Sequence, residues 1–344
     1  MSTAVLSPPT TVNSVRRRLV LGLAVAAAIL VVLMAASLAL GAEHVPFGQV
    51  WRALTVGGTD ADVIVRDVRL PRTLLGVLVG SALAVAGALM QALSRNPLAE
   101  PGLLGVNAGA SLGVVIAMAY FGIGALSGYI WFALIGASIA TVAVYALGSA
   151  GAAGASPARL ALAGAAITAA LTGAISAIVL LSSTVFNGFR AWSVGTLSGR
   201  TAPVVIQVAP FIVIGVVLGL FLVSSLNALA LGEDAAKGLG ANVARTRLLG
   251  VVATTLLCGA ATAAAGPISF VGLVVPHMVR TFTGPDHRWL LPYCLLAGPI
   301  LMVAADLAGR LIARPGELPT ALVTAVVGAP VFVYLIRRRR MAGL

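Results

Sequence analysis

Charge is scarce in this chain. Of its 344 residues only 9% are Asp, Glu, Lys or Arg, while 60% are hydrophobic. A soluble domain of this length needs far more polar side chains to cover its surface. Lysine is rarer still, and Lys237 is the single one. A phosphate-cradling P-loop requires a Gly-Lys-Ser/Thr step, whereas Ala236 precedes and Gly238 follows this lysine. The chain therefore carries no P-loop ATP site of its own. Its two cysteines, Cys258 and Cys294, both fall in apolar runs and read as small core residues. They exclude a disulfide framework. The three histidines, His44, His277 and His287, have no metal-ligand spacing. No GxSxG elbow accompanies the many hydroxyl residues. Neither a metal site nor an enzyme active site is expected, and no resident cofactor either.

What the chain has instead is long apolar runs of about 20 residues, the length one helix needs to cross a bilayer core. A transmembrane β-barrel would show short alternating strands, which are missing. The expected fold class is all-α, a polytopic membrane protein with ten transmembrane helices. They fall near 19–40, 72–93, 103–122, 130–149, 158–181, 203–225, 246–265, 268–283, 289–311 and 319–336. Gly266-Pro267 breaks the run between the seventh and the eighth. The first run follows Arg16–Arg18, is too long for a signal peptide, and reads as an uncleaved helix.

Orientation follows from where cations collect. With both termini in the cytoplasm, fourteen of the 22 cations lie inside: Arg16–Arg18, Arg95, Arg159, Lys237, Arg245, Arg247, Arg280, Arg288 and Arg337–Arg340. The net charge of +12 is thereby explained by membrane sidedness and gives no reason to invoke nucleic acid. The parts are a tail at 1–18, a membrane domain at 19–336 and a basic tail at 337–344.

Four features stand out. Arg66, Arg69 and Arg72 before the second span, with Arg310 and Arg314 at the outer end of the ninth, break the charge bias. They serve either an acidic partner or the lipid headgroups. Asp306 precedes Arg310 by four residues, so the two can pair on one helix face. The longest internal polar stretch, 226–247, places Glu233 and Asp234 at the start of a short helix that Gly238 and Gly240 end. It is a docking knob on the inner face or a plain connection. In the fifth span Thr168, Thr172 and Ser176 share one face, which lines a polar pathway or packs on a neighbour.

Two long stretches resemble one family. RLPRTLLGVLVGSALAVAGALMQALSRNPLAEPGLLGVNAGASLG spans 69–113, and GPISFVGLVVPHMVRTFTGPDHRWLLP spans 266–292, continuing through ADLAGR and ELPTALVTAVVGAPVF. Together with LALGEDAAKGLG at 229–240 they resemble the FecCD family, permeases of ABC importers for siderophores, haem and cobalamin. The resemblance covers nearly everything after about residue 40. It implies a dimer with a second, identical or homologous permease, two cytoplasmic ATPases that bind ATP and Mg, and an external substrate-binding protein. All would assemble in the lipid of a bacterial cytoplasmic membrane. It implies that Arg69, Arg72 and Arg310 receive acidic residues of the binding protein. It implies ATPase docking through Leu231, Gly232, Glu233, Asp234, Ala235, Lys237 and Leu239. The turn Ser156-Pro157-Ala158, where relatives often place hydroxyl residues at an inner gate, departs from that pattern at Pro157 and Ala158. The expected cargo is an iron–siderophore complex, with haem or cobalamin as alternatives. An ion-driven secondary transporter and a membrane enzyme are the rival classes.

Overall fold

A computed structural model describes residues 12–41, 43–58, 61–150 and 157–341. Among these residues the regular structure is helical throughout, with no strand. The chain begins with α1 (Val12–Ala39) and a short α2 (Phe47–Thr55). A π-helical turn (Val63–Arg69) leads into α3 (Leu70–Leu93). A 3-10 turn at Pro101–Leu104 precedes α4 (Val106–Phe121) and α5 (Leu126–Ser149). Then come α6 (Pro157–Leu180), α7 (Ser183–Ser193), α8 (Ala202–Phe221), α9 (Val223–Ala230) and α10 (Glu233–Gly238). The last four are α11 (Val243–Ala265), α12 (Val271–Thr283), α13 (His287–Ile312) and α14 (Thr320–Met341).

Two helices form the centre. α3 and α11 are mostly apolar and mostly buried, as expected of helices surrounded by others. α3 packs against α13, α11, α12 and α8, while α11 packs against α3, α8 and α5. α1 lies at the edge against α13, where the Tyr293 hydroxyl donates to the Leu19 carbonyl at 2.7 Å.

Small residues set how closely the helices approach. A methyl group on Gly87 would overlap the Gly272 carbonyl, and one on Gly80 would overlap the Gly298 backbone. Gly109 and Gly136 face each other's carbonyls across α4 and α5 in the same way. In a lipid solvent the drive to associate comes from such backbone contact rather than from burying oily surface.

Each of the ten expected spans overlaps a helix, and the sixth, 203–225, runs past the end of α8 into α9. Among the described residues, seven stretches are long and apolar enough to cross a membrane, while Val106–Phe121 and Thr320–Tyr334 are shorter apolar helices. α12 has only 13 residues. Its short length follows from the backbone before it: Gly266 has φ +79° and Phe270 has φ +70°, so the chain unwinds between α11 and α12. The expected tails are partly helical. α1 starts before Arg16 and α14 runs through Arg340, because arginine is a good helix former and needs no break at a membrane surface. Neither α2 nor α7 was expected from sequence.

Candidate functional site

One end of the bundle carries a buried ionic cluster. α1 ends at Ala39, leaving its last carbonyls without helical donors. Two arginines from distant elements take them. Arg69 donates through Nη1 to the Leu38 and Ala39 carbonyls at 2.8 and 2.9 Å, and reaches the Glu43 carbonyl through Nη2. Arg310, on α13, donates to the Ser37 and Leu40 carbonyls at 3.0 and 3.1 Å and to Ser37 Oγ at 2.6 Å. Cations at a helix C-terminus also meet the negative end of its dipole. Ser37 Oγ in turn lies 2.8 Å from Thr73 Oγ1.

Arg72 occupies the middle of the cluster. Its Nε and Nη2 grip Asp306 at 2.9–3.1 Å, and its Nη1 reaches both oxygens of Glu317 at 2.8 and 3.0 Å. Such two-pronged pairs are among the strongest polar contacts in proteins. Asp306 also accepts from Thr320 Oγ1 at 3.0 Å and meets Arg310 at 3.2 Å. The pairing expected between Asp306 and Arg310 is thus present, but Arg72 is the closer partner. Glu317 additionally accepts from Ser198 Oγ at 2.9 Å. Burial pushes the Glu317 carboxyl up, but the Arg72 charge beside it prevails and holds it below the usual carboxylate range.

The three arginines expected to meet a binding protein are therefore turned inward. Arg69, Arg72 and Arg310 are 5, 4 and 2% exposed. Their charge is spent on two carboxylates and on the end of α1, so they do not present it at the surface of this structure. The solvent-facing arginines of the same end are Arg52, Arg66, Arg190 and Arg314.

Beside the cluster lies a cavity of about 500 Å³. The end of α4, the start of α5, one face of α7 and the 194–200 segment enclose it, with Tyr129, Trp192, Ser198 and Arg200 in its wall. Arg200 donates through Nε to the Thr196 carbonyl at 3.2 Å and lies against the Tyr129 phenol. Sequence reasoning missed this site. The one available signal was the interval between the fifth and sixth spans, which is longer than a turn and holds both Trp192 and Arg200.

The polar stretch 226–247 folds at the opposite end. α10 spans Glu233–Gly238, with Glu233 and Asp234 in its first turn and Gly240 at φ +81° just beyond it. Glu233 pairs with Arg247 of α11, which anchors the short helix to the bundle. Ala236 is fully buried, while Leu231 and Leu239 are 70 and 67% exposed. Asp234, Ala235 and Lys237 are exposed too, and Gly232 is half-buried.

On α6, Thr172 and Ser176 are exposed and Thr168 is half-buried; a side chain at neighbouring Gly173 would meet open space. Helix packing within this chain does not account for the stripe. Of the expected gate turn, Ser156 lies outside the described residues, Pro157 opens α6, and Ala158 is exposed. Among the described residues no group of three His, Cys, Asp or Glu side chains could hold a metal.

The chain is similar to several transport permeases. It is 47% identical over 316 residues to the ferric enterobactin transport system permease protein of Escherichia coli, covering 92% of this chain and 94% of that one. It is 39% identical over 332 residues to the hemin transport system permease protein of Yersinia pestis, covering 95 and 97%. Among solved structures, a metal-chelate type ABC transporter in an inward-facing conformation superimposes with a TM-score of 0.80 at 27% identity, covering 93% of this chain and 99% of that one. The family model described as the FecCD transport family matches residues 29–338. On that span and these identities, the chain belongs to the FecCD transport family and is a multi-pass membrane permease.

Proposed function

We propose that this chain is the membrane-spanning subunit of an ABC importer that carries an iron–siderophore complex across the cytoplasmic membrane by ATP-driven alternating access. The observation that carries the reading is the pairing of two unlike ends: an arginine-braced end and, opposite it, a short helix with exposed leucines. Ten crossings put both termini in the cytoplasm, α10 inside and the ionic cluster outside. The relatives' names, which include ferric enterobactin, ferric citrate and hemin transport, favour a ferric chelate as cargo.

In this reading two permeases, identical or homologous, enclose the pathway. The uncovered α6 face with Thr168, Thr172 and Ser176 supports that arrangement. Two cytoplasmic ATPases bind ATP and Mg and press on α10, where Leu231 and Leu239 offer apolar contact and Asp234 and Lys237 offer charge. An external binding protein settles on the opposite end. There Arg69, Arg72 and Arg310 act from beneath, holding α1, α3 and α13 in one frame, while Arg52, Arg66, Arg190 and Arg314 supply the surface charge. Such rim contacts govern encounter and register.

The test is uptake by the permease reconstituted in liposomes with its ATPase and binding protein. Labelled ferric siderophore should accumulate only with ATP, and haem and cobalamin should not compete. Uptake by the permease alone, driven by an ion gradient, would overturn the importer reading. Accumulation of haem in place of the siderophore would replace the cargo and keep the class.

A further inference from the structure

The cavity walled by α7 contains a charge that the ionic cluster does not neutralise. At this end of the bundle Arg72 and Arg310 each meet a carboxylate, and Arg69 is held by the carbonyls that end α1. Arg200 is different. It donates to the Thr196 carbonyl, its neighbour is the Tyr129 phenol, and among the described residues no carboxylate lies within ion-pair distance. Burial disfavours that charge, and the phenol offsets it only in part. Arg200 is half-buried, and a guanidinium partly withdrawn from water without a counter-ion carries a cost that an anionic ligand offsets.

The rest of the wall suits a particular anion. Met118 and Val185 are apolar, Trp192 and Tyr129 are aromatic, and Thr184 adds a hydroxyl. About 500 Å³ lies within the range of small-molecule sites, which join an apolar lining to a few placed polar groups. Ser198 stands on the wall and also hydrogen-bonds Glu317, so the cavity adjoins the cluster through one side chain. The floor along α7 consists of Thr184, Gly188 and Ala191, one helical face of small residues that leaves the space open.

We propose that this cavity is a holding site for an anionic, aromatic metal chelate, with Arg200 binding a phenolate or carboxylate of the ligand and Trp192 and Tyr129 flanking its ring. The inference rests on the importer reading and adds a subsite within each permease, apart from the uncovered α6 face. Arg200 is its charge-reading residue and Ala191 marks its open floor.

The test uses the full permease in nanodiscs of zwitterionic lipid, which removes acidic headgroups as a competing source of anion. The probes are radiolabelled gallium tris-catecholate, which is trianionic, and a neutral gallium trihydroxamate, each measured by equilibrium dialysis. Wild type should bind the trianion more tightly than the neutral probe. Arg200→Gln should weaken trianion binding by about tenfold or more, the worth of one charged hydrogen bond. It should leave the neutral probe unaffected, and Arg200→Lys should recover part of the loss. Ala191→Trp fills the floor without touching Arg200 and should abolish binding of the trianion, so it carries the test if Arg200→Gln fails to fold. Trianion binding that survives Ala191→Trp, or that falls in Arg200→Gln only in step with the neutral probe, overturns the site. ATP-driven uptake of chelate by the wild-type importer separates the two claims. If it is present while both variants bind as wild type, the holding site fails alone; if wild type moves no chelate, the importer reading fails first.

Discussion

At the residue scale the structure turns on Asp306. It is 3% exposed and compensates two guanidinium groups, Arg72 and Arg310, that are just as buried. Asp306→Asn removes the charge and keeps the shape, so Arg310 loses its paired carboxylate and Arg72 keeps only Glu317. Breaking a buried pair in this way costs about 3 kcal/mol or more. A clear fall in the melting temperature of the detergent-purified protein is the expected outcome. Arg72→Lys should also lower it, since an ammonium cannot reproduce the fork that holds Asp306 and Glu317 together. Melting at the wild-type temperature in both variants would show that the cluster contributes no stability. The sequence made Asp306 and Arg310 visible because they stand four apart on one helix. It could not reveal the closer partner, since Arg72 and Asp306 are 234 positions apart and only the packing of α3 on α13 joins them.

Glu317 allows a test by pH. Its carboxyl, more exposed than Asp306, is held below the usual carboxylate range by Arg72, against the upward push of burial. A group whose value is depressed on folding stabilises the fold above its unfolded value of 4.5, and that contribution fades as the pH falls through the lower folded value. Between neutral pH and that region, wild type should melt higher than Glu317→Gln. The gap should close on further acidification. A gap that is constant from neutral to acid would mean that the charge of Glu317 plays no part.

At the element scale α10 is short, exposed on its outer side and anchored by Ala236 and the Glu233–Arg247 pair. Leu231 and Leu239 project from its two flanks, and large apolar side chains facing water around a charged turn mark a contact surface. Leu239→Asp should leave the permease folded, because that side chain is 67% exposed. It should sharply reduce co-purification with the ATPase and abolish stimulation of ATP hydrolysis by cargo. Unchanged co-purification and stimulation would remove α10 from the coupling path. This helix was legible in sequence because an acidic pair, two alanines and closing glycines spell out a short helix with both ends marked. α7 was not. Its eleven residues mix aromatic, polar and basic side chains, too polar for a span and without the acidic start that announced α10.

At the scale of the whole molecule the open quantity is the number of crossings, and α12 decides it. Its 13 residues rise about 20 Å, against a hydrocarbon core of about 30 Å. The unwound 266–270 segment has length enough in a near-extended form to span the difference. Unwound backbone at membrane depth is tolerated when protein surrounds it, and here Gly195 and Trp192 pack against Gly266 while α3 packs against the start of α12. If α12 with its lead completes a crossing, three crossings separate Lys237 from Arg314 and these two residues lie on opposite sides. If it turns back, they lie on the same side. Both are exposed, and the native Cys258 and Cys294 are buried at 2 and 0%, so single cysteines introduced at Lys237 and Arg314 react over a quiet background. In intact cells an impermeant maleimide should label Arg314→Cys and spare Lys237→Cys until the membrane is opened. Labelling of both from one side would reduce the crossings to fewer than ten. It would also set the ionic cluster and α10 against the same compartment, and one surface cannot receive both a binding protein outside and an ATPase inside.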